Sequence, residues 1–202
     1  MANLNPKKVL LYVGITVLTI SIPAAVFLAT QPRTTNWQGR ASQEKTAFLY
    51  LWPAKMTIAS CPANVSIDNC QQKKVEVTLN SEKKVGNLDL VLKYDPTKIH
   101  LVDNLIYPGV VDNQKNTQYL PFEYYSQRTI DSKKGIIRLQ AQNSLKQGKS
   151  IFATFWIVGL TQATTEIQIL NDNSYLDSTK VWDESNQNNI LKSVEPLEIN
   201  IN

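Results

Sequence analysis

The stretch GNLDLVLKYDPTKIHLVDN, Gly86 to Asn104, decides how the chain is read. Up to Tyr94 it alternates: Leu88, Leu90, Leu92 and Tyr94 fall on one face of an extended chain, Asp89 and Lys93 on the other. A period of two marks a half-buried strand, whose successive side chains point to opposite sides. Asp95-Pro96 then stops the ladder, because proline has no amide hydrogen to donate and fixes its own φ. Aspartate suits the first position of a turn and proline the second. Ile99 and Leu101 resume the apolar face, with Leu105 a further candidate. The stretch is a strand, a turn and a second strand.

The same pattern recurs on both sides of it. KVEVTLN (Lys74 to Asn80) places Val75, Val77 and Leu79 on one face, and FLYLW (Phe48 to Trp52) runs up to Pro53. IIRLQAQ (Ile136 to Gln142), TEIQIL and LEINI follow, and SIFATFWIVG (Ser150 to Gly159) is apolar enough for a central strand covered on both faces. The connecting segments are too short and polar for crossover helices, which excludes a parallel βαβ fold. The prediction is an all-β sandwich of about eight or nine strands. Two longer interruptions, Tyr107 to Gly135 and Asn171 to Asn189, are expected to hold loops with edge strands.

Hydrophobic residues make up 43% of the 202, the share of an ordinary packed core. The net charge of +4 includes Lys7 and Lys8, and the remaining lysines are dispersed among acids. That is a solvated surface, and it excludes a nucleic-acid partner. Val9 to Ala29 carries no charged side chain and is long enough to cross a bilayer as a helix. Lys7 and Lys8 before it, against Arg33 after it, favour a cytoplasmic N-terminus and an extracellular C-terminal domain. A cleaved signal peptide has the same charge order but a shorter apolar core. The expected organisation is therefore a cytoplasmic stub and plasma-membrane anchor over 1–30, a tether over 31–46, and one domain over 47–202.

Reactive chemistry is sparse. Cys61 and Cys70 sit nine positions apart on an exported segment, so a disulfide is the favoured state and two buried thiols the alternative. His100 is the one histidine and has no nucleophile context around it. Asp89, Asp95, Asp103, Asp172, Asp177, Asp183 and Glu184 show no spacing that selects a catalytic pair, and the Asn/Asp-rich tract lacks the EF-hand pattern. The chain reads as a non-enzyme with no cofactor and no metal. Tyr119, Tyr124, Tyr125 and Trp182 are the candidate ligand-facing rings for a sugar, with core packing as their alternative use.

VEVTLN, then VGNLDLVLKYDPTKIHLVDN and a following Pro108-Gly109, resemble the cohesin domain. Tyr94, Asp95, Pro96, Ile99, Leu101 and Val102 match the family's order, and Gly148 to Gly159 resembles its Phe-containing strand, with Phe155 and Ile157 at core positions. Ile167 to Ile190 looks like its final hairpin. The resemblance spans Phe48 to Ile201; SCPANVSIDNCQQ and Asp112 to Lys134 depart from it. It implies a jelly-roll β-sandwich that recognises a dockerin-type protein, with calcium carried by that partner, and so ties polysaccharide-degrading enzymes to the cell surface. Direct binding of polysaccharide, or a structural role in the envelope, are the alternatives.

Overall fold

The computed structural model describes residues 44–143, 147–172 and 178–202. The expected anchor over 9–29, most of the tether and Asp177 lie outside the described residues. Among the described residues no helix is long and apolar enough to cross a membrane.

Fifteen strands form among the described residues. In chain order the first eight are β1 (Ala47–Trp52), β2 (Lys55–Ile58), β3 (Lys73–Ser81), β4 (Val85–Lys93), β5 (Ile99–Leu101), β6 (Tyr107–Pro108), β7 (Val110–Val111) and β8 (Thr117–Tyr119). The rest are β9 (Tyr124–Asp131), β10 (Ile136–Gln142), β11 (Gly148–Gly159), β12 (Ala163–Ile169), β13 (Lys180–Asp183), β14 (Leu191–Glu195) and β15 (Leu197–Ile201). One sheet runs β14-β1-β3-β11-β5, with β6 also on β11; the other runs β2-β15-β12-β4-β10-β9, with β13 also on β4. The strand count exceeds the eight or nine expected because the two long interruptions contribute β6 to β9 and β13, and because β2 and β14 form outside them. Most of these are short, but β9 is a full edge strand of eight residues.

The alternation seen in the sequence is the alternation that packs. Leu88, Leu90 and Leu92 of β4, Val75, Val77 and Leu79 of β3, and Ile137, Leu139 and Ala141 of β10 all enter one core between the sheets. β11 lies inside its sheet, between β3 and β5, and from Phe152 onward it is buried on both faces. A bulge between Ile151 and Ala153 turns Phe152 and Ala153 inward together, and Phe155 and Ile157 follow into the core. On the outer side, Trp156 and Val158 form a satellite cluster with Val102 and Val111. Tyr107 meets Trp156 edge to face at 5.5 Å between centroids. Cys61 and Cys70 are joined by a disulfide with their Cα atoms 5.5 Å apart, and both pack against this cluster with Ile67.

Two glycines lock turns in the same way. Gly135 has φ +65°, and a Cβ there would overlap the Tyr94 carbonyl oxygen and press on the Pro96 ring. Gly109 has φ +69°, and its Cβ would meet the Tyr119 carbonyl oxygen and the Pro121 ring. Each is a left-handed glycine seated on a Tyr-x-Pro segment, a position that combines the two reasons for having no side chain. The Asp95-Pro96 break is thus held from outside: the Tyr94 amide donates to the Gly135 carbonyl at 2.9 Å, and Gly135 leaves room for the turn.

Candidate functional site

The outer face of the seven-stranded sheet is built from β13, β4, β10 and β9. In register, Asp89 of β4 lies between Lys180 and Gln140, and Gln140 faces Gln127 of β9. One step along, Arg138 lies between Val91 and Thr129, and beyond it Ile136 lies between Lys93 and Asp131. Two shallow depressions open here, of about 440 and 360 Å³, and share Val91, Arg138 and Ser178.

Their floor exists because β4 changes partner. β12 pairs with β4 only at Lys93 and Leu92, and β13 begins only at Asp89, which leaves Val91 without a strand on the side away from β10. The gap is closed by side chain and loop: the Val91 amide donates to the Thr179 hydroxyl at 3.0 Å, while that hydroxyl and the Leu170 amide donate to the Val91 carbonyl at 3.2 and 2.9 Å. Backbone groups this deep must find such partners. Ser178 is carried into the same spot, and its Oγ is buried with no hydrogen-bond partner. A buried hydroxyl left this way is costly unless something docks on it. The centre of the face is therefore Val91, Ile136 and Leu170 around the Ser178 hydroxyl. Its rim is Asp89, Lys93, Gln127, Arg138, Gln140 and Lys180.

The candidate aromatic residues scatter. Tyr125 turns into the core and is not ligand-facing: its hydroxyl donates to the Phe152 carbonyl at 3.1 Å, and its ring packs with Phe122 and Phe152. Burial pushes its phenol well above the ordinary range. Tyr124 is exposed on the far edge strand and Tyr119 on the β7–β8 hairpin. Trp182 is half-buried on β13, with Nε1 3.5 Å from the Asp89 carboxylate and the Lys180 ammonium 5.9 Å from its ring centroid. Tyr124 and Trp182 are separated by the width of β10 and β4, roughly 14 Å, so these rings make no common platform.

Tyr94, Asp95 and Pro96 form a structural turn. Asp95 Oδ1 accepts from the Thr97 hydroxyl at 2.6 Å and the Thr97 amide at 2.9 Å, and these bonds hold its carboxyl below the usual range. Asp131 is lowered likewise, first by the Lys134 amide. A depressed carboxylate contributes stability that is complete above its unfolded value of 3.8 and is lost as pH falls through the folded value. Melting followed by circular dichroism from pH 5 to pH 2 should show a falling midpoint below about pH 4, and Asp95→Asn should flatten that fall; an unchanged slope in the variant would refute the assignment.

The remaining carboxylates have separate local tasks. Asp103 pairs with Lys115, Glu184 lies 3.5 Å from Lys84, and Asp183 accepts from Ser185 and Asn188 within its own turn. His100 faces Val158 in the β5–β11 pairing. Among the described residues no group of three or more His, Cys, Asp or Glu could hold a metal ion.

Solved structures share this fold. The chain superposes on the cohesin of a type I cohesin–dockerin complex from Clostridium thermocellum, Coh-OlpC–Doc435. The TM-score is 0.55 and the identity 12%, covering 78% of this chain and 94% of that one. The fold is that of a cohesin. A second Clostridium thermocellum cohesin, in the Coh-OlpA–Doc918 complex, gives a TM-score of 0.53 at 15% identity over 78% and 99%. A non-cellulosomal cohesin from the archaeon Archaeoglobus fulgidus gives 0.53 at 9% over 78% and 91%. No protein-family model and no curated protein matches the sequence. The cohesin-like domain thus keeps the fold at identities where sequence similarity has faded.

Proposed function

We propose that this cohesin-like domain is a non-catalytic binding module that captures a dockerin-type protein on the outer face of its seven-stranded sheet. The observation that carries the reading is the composition of that face. An apolar floor with one unsatisfied buried hydroxyl is ringed by charged and amide side chains, the layout of a protein-docking patch. The dockerins bound to the two Clostridium thermocellum neighbours support the kind of partner. In this reading residues 9–29 hold the module on the outside of the plasma membrane, where it links captured polysaccharide-degrading enzymes to the cell. Retention of the chain in carbonate-washed membranes tests that anchor.

The direct experiment uses the full chain in detergent micelles as bait against proteins secreted by the same cells, with and without calcium chelation. Calcium-dependent capture of proteins with dockerin-like segments is expected. Arg138→Glu should weaken it at least about tenfold, because Arg138 borders both depressions and a reversed charge there opposes the partner across the whole patch. Absence of capture in either condition, or capture indifferent to Arg138→Glu, would remove the reading.

A further inference from the structure

The opposite side of the sandwich presents a second feature. β1 sends Ala47, Leu49 and Leu51 into the core, so Phe48, Tyr50 and Trp52 stand in a row on the outer face of the six-stranded sheet. Their spacing is two residues, roughly 6.8 Å per step. Trp52, at the end of the row, is 58% exposed.

The row is bordered by polar groups on both sides. On β14, Ser193 lies opposite Phe48 and Glu195 opposite Tyr50; on β3, Asn80 lies opposite Phe48 and Glu76 opposite Trp52. The ammonium of Lys192 stands 5.1 Å from the Phe48 ring centroid, and that of Lys149 5.6 Å from Tyr50.

We propose that this row is a binding track for a single neutral polysaccharide chain lying along β1. A pyranose ring has apolar C–H faces that stack on aromatic rings and an equator of hydroxyls. This strip offers rings in a line, amide and carboxylate groups at their flanks, and the Lys192 and Lys149 ammoniums over the Phe48 and Tyr50 rings, all of them groups that bond to hydroxyls. Two other occupants fit less well. The apolar surface is one strand wide, too narrow for a folded partner, which needs about 800 Å² per side. Charge is nearly balanced: Lys74 pairs with Glu76 at 2.7 Å, and Glu195 offsets one of Lys149 and Lys192. An anionic lipid surface or nucleic acid would call for a clustered positive field.

The track and the protein-docking face are on opposite sides of the sandwich, so each is testable without the other. The full chain in detergent micelles is titrated calorimetrically with the soluble hexasaccharides of β-1,4-linked glucose, xylose and N-acetylglucosamine. Galacturonate hexasaccharide serves as an anionic comparison. At least one neutral probe is expected to bind, and Trp52→Ala should weaken it at least about tenfold through loss of one stacked ring. Trp52→Leu, which keeps apolar bulk without a ring face, should lose as much, while Tyr124→Ala should leave binding unchanged. Four results would overturn the proposal: no binding of any neutral probe, binding indifferent to both Trp52 variants, sensitivity to Tyr124→Ala instead, or a salt-sensitive preference for the galacturonate.

Discussion

Phe152→Ala is expected to lower the unfolding free energy by about 3–5 kcal/mol, a large part of the stability of a domain this size. The ring is fully buried, edge-on to Phe122 at 5.3 Å and tilted against Tyr125 at 5.6 Å. The main chain around it has no freedom to close the void. The Phe152 carbonyl accepts both the Gly109 amide at 2.8 Å and the Tyr125 hydroxyl at 3.1 Å, which pins the bulge in place. A cavity whose walls cannot relax carries the full penalty, and Tyr125 loses its ring contact as well. Urea denaturation of the two proteins measures the difference. A loss under about 1 kcal/mol would mean that the bulge collapses and that the Gly109 and Tyr125 bonds do not fix it.

Gly135→Val should cost about 3–4 kcal/mol, from left-handed strain in a β-branched residue together with overlap on a main-chain oxygen. The comparison that isolates the second cause is Gly148→Val. Gly148 also has positive φ, +97°, but a Cβ there meets nothing within 4 Å, so it should lose only the conformational part, about 1–2 kcal/mol. Equal losses at the two positions in the same denaturation assay would show that contact with the Tyr94 carbonyl contributes nothing.

The core strands were legible because one face of each is apolar and the other polar. Val75 to Leu79, Leu88 to Leu92 and Ile137 to Ala141 packed as their alternation implies. β9 is one of the edge strands expected between Tyr107 and Gly135, but its bounds were not legible: four consecutive exposed residues, Ser126 to Thr129, leave Tyr125 and Ile130 as its inward groups. Its aromatic pair was also unreadable by parity. A bulge opposite Gln140 and Ala141 slips the register by one residue, which sends Tyr125 inward and leaves Tyr124 outside. In β1 both faces are apolar, so FLYLW did not say which set of side chains would be left outside. The docking face was beyond linear reading for another reason. Val91, Arg138 and Ser178 come from three distant segments, and they meet only because β4 exchanges β12 for β13 at Val91. The Tyr94-Asp95-Pro96 motif, by contrast, was legible as a turn and is one.

The Tyr-x-Pro locks bear on which letters of that motif are free to drift. At Gly135 the closest atom a side chain would meet is the Tyr94 main-chain oxygen, an atom that any residue at position 94 would supply. The need for the glycine is therefore independent of the phenol ring and the proline; it is demanded by the backbone path itself. The same holds for Gly109 against residue 119. In distant relatives of such a domain, the durable mark would be a pair of glycines far along the chain from the tyrosines they accommodate, and the conspicuous tripeptide would be the part that fades.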